Sequence, residues 1–239
     1  RGLGDVYKRQ VNKMREVGIP VLPHRARQMT KNDYKEYDYL IGMDEWNIRN
    51  MKRIAVITGA SSGMGRRFAE TVDTFGRFDE IWVIARHEAA LEGLRERVPF
   101  PVRPLALDLT DRSSFATYAK ALTEEPVEVG LLVNASGFGK FRAVVDTPLE
   151  VNLNMVDLNC QAVMALCQLT IPYMPEGGQI INIASVAAFQ PIPYIDVYGA
   201  SKAFVLSFSR ALNRELRGRG VRVLSLIHIS EPTRPISIS

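Results

Sequence analysis

Cysteine is scarce in this sequence, with two residues in 239, and the two lie seven positions apart at Cys160 and Cys167. Both fall in a pattern that is typical of a helix, and two thiols at that spacing match neither a disulfide framework nor a zinc site. We therefore predict two buried thiols and no bound metal.

Long apolar runs are also missing. No run reaches the roughly eighteen apolar residues that a membrane-spanning helix requires. The first residues also lack the charged and then apolar pattern of an export signal. We expect a cytoplasmic protein with no membrane partner.

The net charge of +4 does not come from the larger part of the chain. Residues 1–54 hold 12 Lys and Arg against 7 Asp and Glu, whereas residues 55–239 hold 18 against 19. Binding to nucleic acid requires a concentrated basic surface. The balanced charge after residue 54 therefore predicts no nucleic-acid partner.

From Lys52 onward, short apolar runs alternate with helical stretches. Apolar residues recur at i, i+3 and i+4 over residues 151–174 and 198–217, which predicts helices there. Strands that alternate with helices indicate βαβ units and a parallel sheet, so the predicted fold class is α/β. The candidate strands are Arg53–Thr58, Glu80–Ala85, Val102–Leu107, Gly130–Asn134, Gln179–Ala184 and Val221–Leu224.

A glycine-rich turn with the spacing Gly-x3-Gly-x-Gly follows the first candidate strand, and a helix is predicted from about Met64. Such a turn lets the backbone approach a pyrophosphate closely, while free N–H groups and the helix dipole stabilise its charge. Ordinary turn chemistry is the alternative, but the position after the first strand of a βαβ unit favours a dinucleotide site. The residues concerned are Gly59, Ser61, Ser62, Gly63, Met64 and Gly65.

The ends of the next two candidate strands bear on the choice of dinucleotide. Arg86 follows the second strand, where an acidic residue would bind the ribose hydroxyls of NAD and repel a 2′-phosphate. A guanidinium offers that phosphate charge-assisted hydrogen bonds, so NADP is favoured over NAD. Arg86 can alternatively be a solvated surface residue. Asp108, at the end of the third strand, can alternatively cap the next helix.

Three polar residues follow at the fifth strand and the next helix. Ser185 ends the fifth strand, Tyr198 comes thirteen residues later at the start of a helix, and Lys202 is four residues further on. Residues four apart share a helical face, so the ammonium can stabilise an ionised phenol and suit it to general acid–base chemistry. The pair can alternatively be a packed tyrosine beside an extended lysine.

In this order and spacing, the motifs resemble those of the short-chain dehydrogenase/reductase family. The resemblance covers residues 51–223 and implies a doubly wound parallel sheet, the Rossmann fold, that is truncated at its C-terminal end. It also implies an oxidoreductase that transfers a hydride between NADP(H) and a carbonyl or alcohol substrate. Family members are commonly homo-oligomers that assemble through their two longest helices.

The resemblance also implies roles for single residues. Tyr198 is expected to protonate the carbonyl oxygen, Ser185 to hydrogen-bond that oxygen, and Lys202 to bind the nicotinamide ribose. Asn159 matches a fourth catalytic residue that holds a water in a proton relay, although an asparagine inside a helix can instead bond nearby backbone. Asp108, with Leu109 beside it, is expected to contact the adenine.

The segment that ends the fourth strand departs from the family's Asn-Asn-Ala-Gly pattern. Ala135 lacks the amide of the second asparagine, so the hydrogen bonds of that amide are not expected. Contacts with the cofactor are still expected from this segment, which consists of Asn134, Ala135, Ser136 and Gly137.

The two ends of the chain have a different character. Residues 5–10 and 224–229 can be encoded by one stretch of DNA read in opposite directions, which resembles a translated sequencing adapter. We therefore predict that residues 1–10 and 224–239 are artefacts and that the authentic chain stops near Val223. A non-catalytic NADP-binding fragment is then an alternative to an active enzyme.

Residues 11–50 resemble a fragment of a low-molecular-weight protein tyrosine phosphatase, chiefly through His24–Thr30 and Tyr37–Asp44. That chemistry requires a cysteine thiolate in a loop that cradles phosphate. No cysteine precedes Cys160, so we predict that this segment has no phosphatase activity. A chimeric junction at Met51 accounts for the arrangement.

Overall fold

The structure is a computed structural model that describes residues 51–228. The predictions for residues 1–10, 11–50 and 229–239 therefore lie outside the described residues. Within residues 51–228, no helix is both long enough and apolar enough to cross a bilayer.

Six parallel strands form a single sheet in the order β3-β2-β1-β4-β5-β6. The order reverses between β1 and β4, so the two halves of the sheet wind outward from a common centre. This confirms the doubly wound α/β fold. The strands are β1 (Lys52–Thr58), β2 (Glu80–Ala85), β3 (Val102–Ala106), β4 (Val127–Asn134), β5 (Gln179–Ser185) and β6 (Arg222–His228).

Both faces of the sheet are buried, as a parallel sheet requires. Along β1, Ile54 and Val56 pack into one apolar cluster, while Ala55 and Ile57 pack into a second cluster on the opposite face. Because side chains alternate along a strand, a run of apolar residues supplies both layers. This arrangement explains why the strands appear in the sequence as continuous apolar stretches.

Helices connect the strands. They are α1 (Gly63–Glu70), α2 (Glu88–Glu92), α3 (Ser113–Glu124), α4 (Leu149–Val156), α5 (Ala162–Thr170) and α6 (Asp196–Glu215). A π-helical turn over Asp157–Gln161 joins α4 to α5, so the single helix predicted over 151–174 is interrupted at its middle. Turns of this kind are common at functional sites.

Two strands differ from the predicted bounds by three residues or more, while β1, β3 and β5 differ by one residue each. β4 begins at Val127, three residues early, because it pairs with β1 from Lys52 onward. β6 continues four residues beyond the predicted end at Leu224, because its backbone pairs with β5 as far as Ser185. The interpretation of residues 224–239 as translated adapter stays a prediction.

Candidate active site

A cleft of about 510 Å³ opens at the carboxyl ends of β1 to β4, on both sides of the point where the strand order reverses. Ligands of doubly wound sheets bind at this position. Of the residues predicted to bind a cofactor, the cleft is lined by Gly59, Ser61, Ser62, Gly63, Met64, Arg86, Asp108, Leu109, Ala135, Ser136 and Gly137.

The glycine-rich turn is shaped by close contacts within the backbone. A Cβ atom on Gly65 would lie 2.6 Å from the carbonyl oxygen of Thr58, so only glycine lets the start of α1 pack directly on the end of β1. Gly63, the first residue of α1, has a φ of 54°, which glycine adopts at little cost. The start of α1, whose first N–H groups have no partner within the helix, lines the cleft through Ser62, Gly63 and Met64.

Thr58 is a residue of this site to which the sequence analysis assigned no role. Its buried hydroxyl accepts hydrogen bonds from the backbone N–H groups of Ala135 and Ser136, each at 3.0 Å. The end of β1 is thereby fixed to the segment after β4, and two of the walls of the cleft are joined. The signal for this role in the sequence was a residue with a hydroxyl group directly before the first glycine of the turn.

Asn134 is one of the residues predicted to contact the cofactor, and it is not among the residues that line the cleft. Its amide lies in the core, where Nδ2 donates to Oδ1 of Asn182 at 2.8 Å. Asn182 in turn donates to the hydroxyl of Ser209 at 2.9 Å. These buried polar groups connect β4, β5 and α6 and so support the sheet, while a contact between Asn134 and the cofactor stays a prediction.

Arg86 and Asp108 both lie at the surface of the cleft, at the ends of β2 and β3. Within residues 51–228, the Arg86 guanidinium makes no ion pair or hydrogen bond. The carboxylate of Asp108 accepts from the N–H and the hydroxyl of Thr110, at 3.0 and 2.8 Å. It therefore stabilises a local turn, while Asp111 receives the N–H of Ser113 at the start of α3. The Leu109 side chain packs in the core below the cleft.

The predicted pairing of Lys202 with Tyr198 is present. The Lys202 ammonium lies 5.6 Å from the centre of the Tyr198 ring and donates to the carbonyl oxygen of Ile183 at 2.7 Å. Lys202 is only 5% exposed, and burial lowers the pKa of its ammonium to about 8. A nearby anion would favour the protonated form of the Lys202 ammonium.

Ser185 is the last residue of β5, as predicted, and it is buried. Its hydroxyl accepts a hydrogen bond from the N–H of Ala187 at 3.2 Å. This contact leaves the proton of the hydroxyl available to another acceptor. Tyr198 lies two residues inside α6 and is half-buried, so its ring is partly open to solvent.

Asn159 lies in the π turn with its amide fully buried. Its Oδ1 accepts from the N–H of Phe138 at 3.1 Å, and its Nδ2 donates to the carbonyl oxygen of Phe138 at 2.9 Å and to the Ser201 hydroxyl at 3.0 Å. Both N–H donors are thus used by the protein. The contact with backbone was the alternative reading of this residue, and a role in holding water stays a prediction.

Gly137 lies between the cleft and two of the residues predicted to be catalytic, Asn159 and Lys202. It lines the cleft, and a Cβ atom there would lie 2.9 Å from Oδ1 of Asn159 and 3.5 Å from the Lys202 ammonium. The close approach brings the predicted cofactor residues and the predicted catalytic residues into one continuous site.

The two thiols differ in their surroundings. Cys167 is buried against Asn134 and Asn182, and burial raises its pKa to about 12. Cys160, beside Asn159, is half-buried, and burial raises its pKa as well. The prediction of a buried thiol is therefore confirmed for Cys167 and is correct only in part for Cys160. Within residues 51–228, no three His, Cys, Asp or Glu side chains form a group that could hold a metal.

The buried ammonium of Lys202 predicts a pH dependence of stability. Its pKa is about 8 in the folded chain, against an ordinary value of 10.5. Between these two values the unfolded chain binds the proton and the folded chain does not. Lys202 should therefore contribute a rise in the free energy of unfolding between about pH 8 and pH 10.5, on the order of 3 kcal/mol. The raised pKa values of Cys160 and Cys167 oppose this rise above about pH 9, with or without Lys202. Denaturant unfolding across this range measures the rise. The Lys202→Met variant should lack it, and an equal rise in both proteins would contradict the assignment.

Comparison with known proteins agrees with this geometry. The profile of the short chain dehydrogenase family matches residues 53–228. An uncharacterized oxidoreductase of Staphylococcus epidermidis is 31% identical over 177 residues, which cover 73% of this chain and 76% of the relative. A metagenomic short-chain oxidoreductase, solved in complex with NADP, superposes with a TM-score of 0.68 at 26% identity, covering 75% of this chain and 83% of the other. For a short-chain dehydrogenase from Sphingobium yanoikuyae in complex with NADPH, the TM-score is 0.65 at 31% identity, with coverages of 73% and 70%. The chain is a member of the short-chain dehydrogenase family.

Proposed function

We propose that this chain is an NADP(H)-dependent oxidoreductase that interconverts a carbonyl compound and an alcohol. The observation that carries the proposal is the Lys202 ammonium beside the Tyr198 ring, at the edge of the sheet where Ser185 ends β5. A buried ammonium next to a half-exposed phenol is suited to proton transfer at a reacting oxygen. The adjoining cleft supplies the space for a dinucleotide.

The residues around the cleft fit an NADP molecule. Gly63, the first residue of α1, lines the cleft, and a Cβ atom there would meet no protein atom within 4 Å, so a pyrophosphate has room to approach the backbone closely. When bound, NADPH would supply the hydride. Lys202 would hold the ribose, and Asp108 and Leu109 would lie along the adenine.

The chain's own residues would handle the substrate oxygen. Ser185 would donate its hydroxyl proton to that oxygen and so orient the carbonyl group. Tyr198 would transfer its phenolic proton to the same oxygen during reduction and recover it during oxidation. Lys202 would stabilise the resulting phenolate, since the ammonium is held in place by the carbonyl of Ile183.

The preference for NADP over NAD rests on Arg86. Its guanidinium lies at the end of β2 and makes no ion pair within the described residues, so it is available to a 2′-phosphate. The two solved relatives were crystallised with NADP and NADPH, which favours the same cofactor here.

We expect the chain to bind NADPH more tightly than NADH, as measured by the fluorescence of the reduced nicotinamide. Arg86→Asp should weaken NADPH binding by about ten- to a hundredfold, because a charge-assisted hydrogen bond of about 1.5–3 kcal/mol is lost and a repulsion is added. Arg210→Asp is the control, since it changes the charge equally on an exposed part of α6 away from the cleft. An equal loss in both variants would point to net charge alone and contradict the role of Arg86.

Tyr198→Phe tests the chemistry. We expect the rate of NADPH oxidation with aldehydes or ketones to fall by about a hundred- to ten-thousandfold, because general acid–base catalysis is lost. Binding of NADPH should be retained. Tyr173→Phe is the control, because Tyr173 is a half-buried tyrosine outside the site.

The outcome also separates the enzyme from its alternative. A chain that binds NADPH but reduces no carbonyl compound would be a non-catalytic NADP-binding fragment. A Tyr198→Phe variant that reduces carbonyl compounds as fast as the parent chain would contradict the catalytic role of Tyr198.

A homo-oligomer is also proposed for the protein. Leu149, Leu153, Val156 and Met164 form an exposed apolar stripe along α4 and α5, and Phe204 of α6 is exposed as well. Apolar surface of this kind is typical of subunit interfaces.

We expect analytical ultracentrifugation to show an oligomer that Leu153→Glu dissociates. Ala116→Glu, on the exposed side of α3, should leave the oligomer intact, and a monomeric parent chain would contradict the proposal.

A further inference from the structure

We infer that the segment after β4, residues 137–142, holds the Tyr198 ring in its working position and that Gly139 is the residue through which it does so. This segment is called the 137–142 loop below. The inference rests on the proposed function, because it gives Tyr198 a catalytic role. It assigns Gly139 as a positioning residue that touches neither the substrate nor the cofactor.

The backbone of Gly139 lies directly against the Tyr198 ring. A Cβ atom at this position would lie 2.7 Å from Cδ2, 2.9 Å from Cγ and 3.1 Å from Cε2 of the ring. Carbon atoms that are not bonded lie about 3.5–4.0 Å apart at their optimal separation. Any side chain at residue 139 would therefore displace the ring or the loop.

The loop itself is fixed at its first end. The Asn159 amide binds both the N–H and the carbonyl oxygen of Phe138, the residue before Gly139. Asn159 itself is completely buried in the π turn, so packing fixes the position of its amide. The backbone that meets Tyr198 is therefore held from the side of α4 and α5.

The far end of the loop is fixed to the segment before α6. The N–H of Arg142 donates to the carbonyl oxygen of Tyr194 at 2.7 Å, and the rings of Phe141 and Tyr194 are 5.8 Å apart. Tyr194 has a φ of 70°, a conformation that is unfavourable for a residue with a side chain and persists only where the surrounding contacts hold it. It is the one such residue other than glycine among residues 51–228.

These contacts leave Tyr198 little freedom. Gly139 lies against one edge of its ring, and the Lys202 ammonium, fixed by Ile183, lies 5.6 Å from the ring centre. Tyrosine side chains otherwise change rotamer readily when half-exposed. The 137–142 loop therefore keeps the phenol at a constant distance from the group that stabilises its ionised form.

Gly139→Ala tests the inference in the full chain. Gly139 does not have a positive φ, so alanine adds bulk without straining the backbone. We expect kcat for carbonyl reduction to fall about ten- to a hundredfold, because a displacement of about 1 Å costs up to a hundredfold in rate. The dissociation constant of NADPH and the KM for the substrate should change by less than about twofold, since a positioning residue acts on the transition state.

Gly218→Ala is the matched control. Gly218 also lacks a positive φ, and a Cβ atom there meets no other atom within 4 Å. We expect its kcat to equal that of the parent chain. A crystal structure of Gly139→Ala should show the Tyr198 ring displaced from its position beside Lys202.

An unmoved ring, or a kcat equal to that of Gly218→Ala, would overturn the inference. A parallel loss of NADPH binding and thermal stability in Gly139→Ala would also overturn it, because such a loss indicates a general structural role. If neither glycine variant nor the parent chain reduces a carbonyl compound, the proposed function has failed. The ring position in the crystal then decides the inference separately.

Discussion

The buried ammonium of Lys202 is the charge on which the arrangement of the site depends. A cation in the protein interior is costly unless it has partners, and this one has the carbonyl oxygen of Ile183 and the face of a tyrosine ring. The lowered pKa of the Lys202 ammonium reflects the cost of burial that these two partners do not offset. An anion on the neighbouring phenol would offset part of this cost, so the charge that weakens the fold would favour the proposed chemistry.

The position of that charge follows from the packing of the sheet. β5 supplies the carbonyl of Ile183 and ends two residues later at Ser185, while α6 runs back across the sheet with Tyr198 and Lys202 near its start. The chain of buried polar groups from Asn134 through Asn182 to Ser209 holds β4, β5 and α6 together below them. Buried polar side chains that bond to one another in this way favour one arrangement of the elements they connect.

The short stretch of backbone after β4 borders both the cleft and the residues proposed to be catalytic. Thr58 binds its beginning at Ala135 and Ser136, and Asn159 binds its middle at Phe138. The π turn matters here because it lies where the long helix passes this stretch and presents the Asn159 amide to it. Movement at either end of the stretch would change both the cofactor cleft and the surroundings of Tyr198.

The sequence by itself determined the features that depend on neighbours along the chain. Short runs of β-branched or apolar residues identified all six strands, the glycine spacing identified the turn before α1, and the four-residue interval placed Lys202 beside Tyr198. Because side chains alternate along a strand, the sequence could also have placed Asn134 and Asn182 on the same face of the sheet as Leu132 and Ile180. Only the tertiary structure decided the contacts between distant segments, namely Thr58 with Ala135, Asn159 with Phe138, and Gly139 with Tyr198. These depend on how the strands are ordered and how closely the backbone segments approach, and a linear pattern carries no information about either.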